Sequence, residues 1–129
     1  MSEIRFVIEL PPRSKKNSQQ ILTNKKTGRQ FIAPSAAFKA YRKAALTLIP
    51  KEARIGIDYP VNVKALIYVP THRKCDQLNM LEALDDILVD AGVVIDDNYN
   101  VIVGHDGSRV RVDKEHPRTE VTIAEVVDE

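Results

Sequence analysis

The chain has 129 residues, 43% hydrophobic and 29% charged, with a formal net charge of +1. That is one domain's worth of chain with enough apolar residues for a core, and it excludes a disordered polyelectrolyte or a fibrous protein. The single cysteine, Cys75, rules out an internal disulfide, and no apolar run approaches the roughly 20 residues of a membrane span or resembles a secretory leader. The expectation is a single cytoplasmic domain over residues 1–129 that neither spans nor docks on a membrane.

The elements follow in chain order. Residues 3 to 10, EIRFVIEL, put Ile4, Phe6 and Ile8 on one face, which predicts a strand ended by Pro11 and Pro12. Residues 20 to 33 read as a hairpin turning at NKKTG, with Gly28 supplying the left-handed position. Ser35 is placed to cap a helix running to about Leu48, short of Pro50, with Phe38, Tyr41, Ala45 and Leu48 at helical spacing. Residues 59 to 69, YPVNVKALIYV, predict a long strand, and THRKC a basic loop. A second helix is expected over about 76 to 90, with Gly92 just past its end.

VVI at 93 to 95 reads as a short extended piece leading to Asp96 and Asp97. Residues 99 to 103 and 109 to 113 read as two strands joined by the turn GHDGS, and TEVTIAEVV as the last strand. This order predicts an α+β fold: a mixed, mainly antiparallel sheet with two helices packed on one face.

Charge is unevenly spread. Residues 1 to 54 carry twelve Lys/Arg against three Asp/Glu, and residues 55 to 129 carry seven against fifteen. A basic region suggests a polyanionic partner. The acidic residues concentrate in 76 to 97, seven in twenty-two. At about 100° per residue, Glu82, Asp86, Asn79, Asp90 and Asp76 share one arc of the second helix, while Ile87, Met80, Ala91, Leu84, Leu88 and Leu81 fill the opposite one. Ordinary solvated helix faces intersperse lysine among such residues, because like charges repel. Helix-end electrostatics favour Asp76 alone, which is placed as an N-cap. The remaining carboxylates point to a hard, oxygen-liganded cation such as Mg²⁺. Asp85 and Asp90 are expected to be solvated.

Other chemistries fail on spacing. A calcium loop starting at Asp96 would need glycine where Val101 stands and glutamate where Gly107 stands. His105, Asp106 and Ser108 lie too close together for a catalytic relay and read as a polar turn. Cys75 has no zinc-ligand spacing around it, and no phosphate-binding loop or dinucleotide fingerprint implies an organic cofactor.

The pattern resembles the RusA family of Holliday junction resolvases, small endodeoxyribonucleases often carried by phages and prophages. The resemblance rests on LPPRSKKNS after the first strand, and above all on Asp76 and Asn79 leading a helix, then Ala91-Gly92, a short apolar strand and Asp96-Asp97. It implies a homodimer that binds four-way DNA junctions and makes paired, symmetric, Mg²⁺-dependent nicks (Mn²⁺ substituting) in recombination and repair. The family's essential carboxylates match Asp76 and Asp97. Two positions depart from the well-known members: Leu78 stands where they carry aspartate, and Glu82 where they carry lysine.

On this resemblance Asp76 and Asp97 are expected as metal ligands, Glu82 and Asp86 as replacements completing the shell, Asp96 as the runner-up to Asp97, and Asn79 as a hydrogen-bonding catalytic neighbour. Backbone contacts to DNA are expected from Arg13, Lys15, Lys16, Lys25, Lys26, Lys39, Arg42, Lys43, Arg73 and Lys74, which carry affinity and not sequence. Leu78 and Val89 are a candidate dimer surface. Two alternatives stand beside this reading: a protein of the same fold that binds junctions without cleaving them, and an unrelated protein whose acidic helix meets a basic partner.

Overall fold

In the computed structural model, which describes residues 3–15, 19–34, 36–72 and 74–127, the centre of the molecule is a nine-residue strand, Val61–Val69. Its alternate residues Val61, Val63, Ala65, Ile67 and Val69 are buried, while Asn62, Lys64, Leu66 and Tyr68 on the other face are not. That period of two is the signature of a strand with one face covered.

Numbered along the chain, the strands are β1 (Ile4–Ile8), β2 (Gln19–Thr23), β3 (Gln30–Pro34), β4 (Val61–Val69), β5 (Ile102–Gly104), β6 (Arg109–Val112) and β7 (Arg118–Glu125); the helices are α1 (Ala36–Leu48) and α2 (Gln77–Asp90). The main sheet runs β1-β7-β4-β5, with β6 also on β4. The long ladders, β7 with β1 and with β4, are antiparallel; β5 and β6 lie parallel to β4. The fold is therefore α+β with a mixed, mainly antiparallel sheet, as the patterning predicts. Ser35, expected to cap α1, lies outside the described residues. Leu48, expected on the buried line of α1, is exposed, and Ile49 turns inward in its place.

The GHDGS segment between the fifth and sixth strands, expected as a polar turn, does not reverse the chain. β5 and β6 run in the same direction along one edge of β4 as a single interrupted strand. Val61 pairs with Ile102 but Leu66 with Arg109, so this strand carries two more residues than β4 over the span. One extra residue falls at Val103, between the Val61–Ile102 and Asn62–Gly104 pairs, and the other within residues 105–108, where side chains replace the lost ladder bonds. The Asn62 amide donates to the Asp106 carbonyl at 3.1 Å and accepts from the Asp106 N–H at 2.8 Å. Ser108 Oγ accepts from the Ala65 N–H at 2.9 Å. Gly107 holds φ at 86°, a conformation that side chains resist. Together these turn the GHDGS segment into a bulge, and His105 at its start points back toward α2 rather than into solvent.

α2 connects β4 to this parallel edge. Asp76 opens the helix as its N-cap. At the other end Gly92, with φ at 75°, lets the Val93 N–H reach the Leu88 carbonyl at 3.0 Å and its own N–H reach Val89 at 3.0 Å, a Schellman stop. Val94 then bridges Ile57 in parallel. Ile87 and Leu88 are fully buried. Each contributes about 1.5–3 kcal/mol, against roughly 0–1 kcal/mol for an exposed ion pair. The apolar face of α2 therefore holds the helix in place, and the acidic face is not needed for that.

Candidate metal and phosphate cleft

The outward side of α2 forms one wall of a cleft of about 480 Å³. α1 contributes Phe38, Lys39 and Arg42, α2 contributes Asp86, Val89 and Asp90, and Lys15 and Asp97 complete the lining. Asp97 arrives there because the bridge from Val94 to Ile57 brings the chain back beside the helix it has just left.

The acidic face has counterions, and they come from the basic part of the chain. Lys15 pairs with Asp86. Arg42 donates through Nε at 2.8 Å, and through Nη2, to the same Asp90 oxygen. These contacts span 71 and 48 residues, which is why no lysine is seen at helical spacing. Asp90 is thus engaged rather than merely solvated. Lys15 and Arg42, expected to contact DNA, are held by carboxylates of the same cleft.

Asp96 and Asp97 behave differently. Asp96 folds back on its own turn, accepting from the Asp97 N–H at 2.7 Å and the Asn98 amide at 3.0 Å, and these hydrogen bonds lower its pKa. Asp97 lines the cleft. Partial desolvation, the Asp96 side chain and the charge of Asp86 push its carboxyl upward.

Asp85, expected to be solvated, is instead buried, at 7% exposure. Desolvation raises its pKa, and the charges of Asp97 and Asp86 add to that; His105 opposes them. His105 Nε2 is hydrogen-bonded to Asp85 Oδ2 at 2.8 Å, and this bond raises the His105 pKa. Asp85 Oδ1 has no hydrogen-bond partner. His105 is therefore more than a turn residue. One signal was available: at about 100° per residue, Asp85 falls beside Leu81 at the edge of the apolar arc, away from the other acids.

Asp76 sits at the other end of the helix. Its Oδ1 accepts from the Leu78 N–H at 2.9 Å and the Asn79 N–H at 3.4 Å. Ten residues of helix put it about 15 Å along the axis from Asp86. Glu82 is exposed between them, and Asn79 is half-buried. Among the described residues no three His, Cys, Asp or Glu side chains converge as a metal-holding group, so the five expected ligands Asp76, Glu82, Asp86, Asp96 and Asp97 do not form one shell here. The donors do suit a hard cation at Asp86 and Asp97. Two carboxylates that repel each other beside an open cleft match Mg²⁺, which takes one or two carboxylates and fills its shell with water.

Of the other basic candidates, Arg13 and Lys74 line a second cleft of about 350 Å³ near the start of α2, with Cys75 in its wall. Lys25 and Lys26 are at the tip of the β2–β3 hairpin, and Lys43 is exposed on α1. Lys16 and Arg73 lie outside the described residues. Leu78 is 73% exposed, and Val89 lines the acidic cleft. Among the described residues no helix is long and apolar enough to cross a membrane. No protein-family model matches the chain, and no curated protein matches it.

Proposed function

We propose that this protein is a Mg²⁺-dependent endodeoxyribonuclease that acts on four-way DNA junctions, working as a homodimer whose two-fold axis meets the near-two-fold junction and gives paired nicks. The observation that carries the reading is the meeting of Asp86 and Asp97 in one open cleft that Lys15, Lys39 and Arg42 also line; the charge of Asp86 helps push the Asp97 carboxyl upward. Carboxylates that repel one another inside a rim of cations suit a cation together with a phosphodiester.

Asp86 and Asp97 would hold the ion. When bound, Mg²⁺ or Mn²⁺ supplies a water of lowered pKa and neutralises charge on the phosphoryl oxygens. Lys15 and Arg42 exchange their carboxylate partners for backbone phosphates as DNA enters, a cheap exchange because each pair is partly exposed. Lys39 adds a third cation on the same rim. Asp76 fixes the start of α2 and keeps its second oxygen for solvent or a ligand. Glu82 and Asn79 lie along the helix between the two ends.

A second reading is favoured by the exposed Leu78, where the resembled family has aspartate, and by the separation of Asp76 from Asp97's cleft: a protein that binds branched DNA without cutting it. One assay separates them. A synthetic four-way junction and a linear duplex of the same arms are incubated with Mg²⁺ or EDTA, using wild type, Asp97→Asn and Asp76→Asn. Symmetric, Mg²⁺-dependent nicking of the junction, lost in Asp97→Asn, is the expected result. Tight junction binding without nicks moves the protein to the second reading, and no binding removes both.

A further inference from the structure

We infer that the β2–β3 hairpin is an arm that enters the major groove of a duplex, outside the cleft described above; this rests on the nucleic-acid reading of the previous section. β2 and β3 form a separate two-stranded sheet. Among the described residues they share no extensive contact with any other element. Isolated hairpins are marginal in water, so a free ribbon of this kind suits a surface it can lie against.

Its chemistry selects the surface. Residues 19 to 34 contain Lys25, Lys26 and Arg29 and no acidic residue. None of the three forms an ion pair among the described residues. The tip is held in one shape: the Gly28 N–H donates to the Asn24 carbonyl at 2.8 Å, the Lys26 N–H to Asn24 Oδ1 at 2.9 Å, and the Asn24 N–H to the Arg29 carbonyl at 2.8 Å. The fixed backbone of the tip therefore carries three exposed cationic side chains close together. Behind the tip the cross-strand pair Leu22 and Phe31 is exposed, at 36% and 47%.

The dimensions fit. Paired strands lie about 4.8 Å apart, and five residues of strand reach about 17 Å. The major groove is about 12 Å wide and 8.5 Å deep, and it admits a two-stranded ribbon. Lys25, Lys26 and Arg29 then meet phosphates on the groove walls, and Leu22 and Phe31 offer apolar contact to thymine methyls. A second copy meeting it arm to arm is a poorer occupant, because it would bring three more cations to the same place.

The test measures binding to a linear duplex and to a four-way junction over a salt series, with dimethyl sulfate protection of guanine N7, which faces the major groove. The variant Lys25→Gln, Lys26→Gln, Arg29→Gln should reduce the slope of log affinity against log salt by roughly 2 to 3, at about 0.9 per lost phosphate contact. It should also lose N7 protection at an unchanged melting temperature, and the charge-keeping variant Lys25→Arg, Lys26→Arg, Arg29→Lys should restore the slope. Wild-type binding with an unchanged slope in the Gln variant overturns the arm and leaves the nuclease reading standing. No binding by wild type overturns both. If Leu22→Ser, Phe31→Ser turns a dimer into a monomer while the salt slope is kept, the arm clasps a subunit and the groove assignment falls.

Discussion

The two ends of α2 use their carboxylates for different work. At the N-terminal end Asp76 accepts two backbone N–H groups, where the helix dipole welcomes negative charge. A single residue accounts for itself there from purely local forces. In the second half of the helix Asp85, Asp86 and Asp90 gain nothing from the dipole, which opposes Asp90 in the last turn, and Asp97 crowds in from the next segment. Each of these three helix acids takes a partner from far along the chain: His105 for Asp85, and the cations Lys15 for Asp86 and Arg42 for Asp90. Acids that help a helix form belong at its start. Acids gathered without help from the dipole and held by long-range partners at the rim of a cleft are the ones to examine for function.

The largest effect is expected from removing His105. His105→Ala leaves Asp85 buried with neither oxygen paired, and should cost about 1–3 kcal/mol. The pair also sets a pH dependence. Both pKa values are raised in the folded state, so both groups hold protons that the unfolded chain gives up. Their contribution is full below the unfolded values, near 4 for a carboxyl and about 6.5 for histidine. It is lost as pH rises through the raised folded values. Asp96 and Asp113, whose pKa values are lowered, oppose this only in acid, where their contribution disappears as pH falls. Urea midpoints taken at about pH 5, 7 and 9 should therefore fall with pH in wild type and change less in Asp85→Asn. A wild-type midpoint that stays flat across the range would refute the buried pair.

A smaller effect tests the other end. Asp76→Ala should destabilise by about 1 kcal/mol through loss of the cap, whereas Asp76→Ser keeps a capping oxygen and should stay within a few tenths of wild type. Thermal melts of the two variants decide it. The Ser variant also separates cap from ligand. If nicking disappears in Asp76→Ser at unchanged stability, the free oxygen of Asp76 takes part in chemistry, and the contrast between the two ends of the helix is less complete than the geometry suggests.

How legible this was depended on the range of the interaction. β1, β4, β7 and both helices follow from periods of 2 and 3.6 in the apolar residues, because burial of one face is written into each segment separately. The bulge between β5 and β6 is not local. A Gly-rich turn reads the same whether the chain reverses or bulges, and only the Asn62 and Ser108 side chains, bonded across to a strand more than forty residues away, settle its direction. The same holds for the cleft. The concentration of acids was plain in the sequence, and so was the basic first part of the chain. That Lys15 meets Asp86 and Arg42 meets Asp90 was not, since each pairing needs α1 and the Pro-Pro turn folded against α2. Asp85 lay between: its position on the helical wheel marked it as the acid apart, but its partner came from the bulge.

The smallest expected effect bears on whether the acidic face exists for stability at all. Arg42 and Asp90 have side chains 43% and 37% exposed. Exposed pairs contribute little, so a double-mutant cycle of Arg42→Ala and Asp90→Asn should return a coupling of no more than about 0.5 kcal/mol, reduced further by salt. A coupling this weak means that DNA phosphate can take Arg42 from Asp90 at almost no cost to the fold. A value near 2 kcal/mol would mean that the pair locks α1 to α2. The cleft would then be a structural seam between the helices, and the reading of its rim as a phosphate contact would have to be given up.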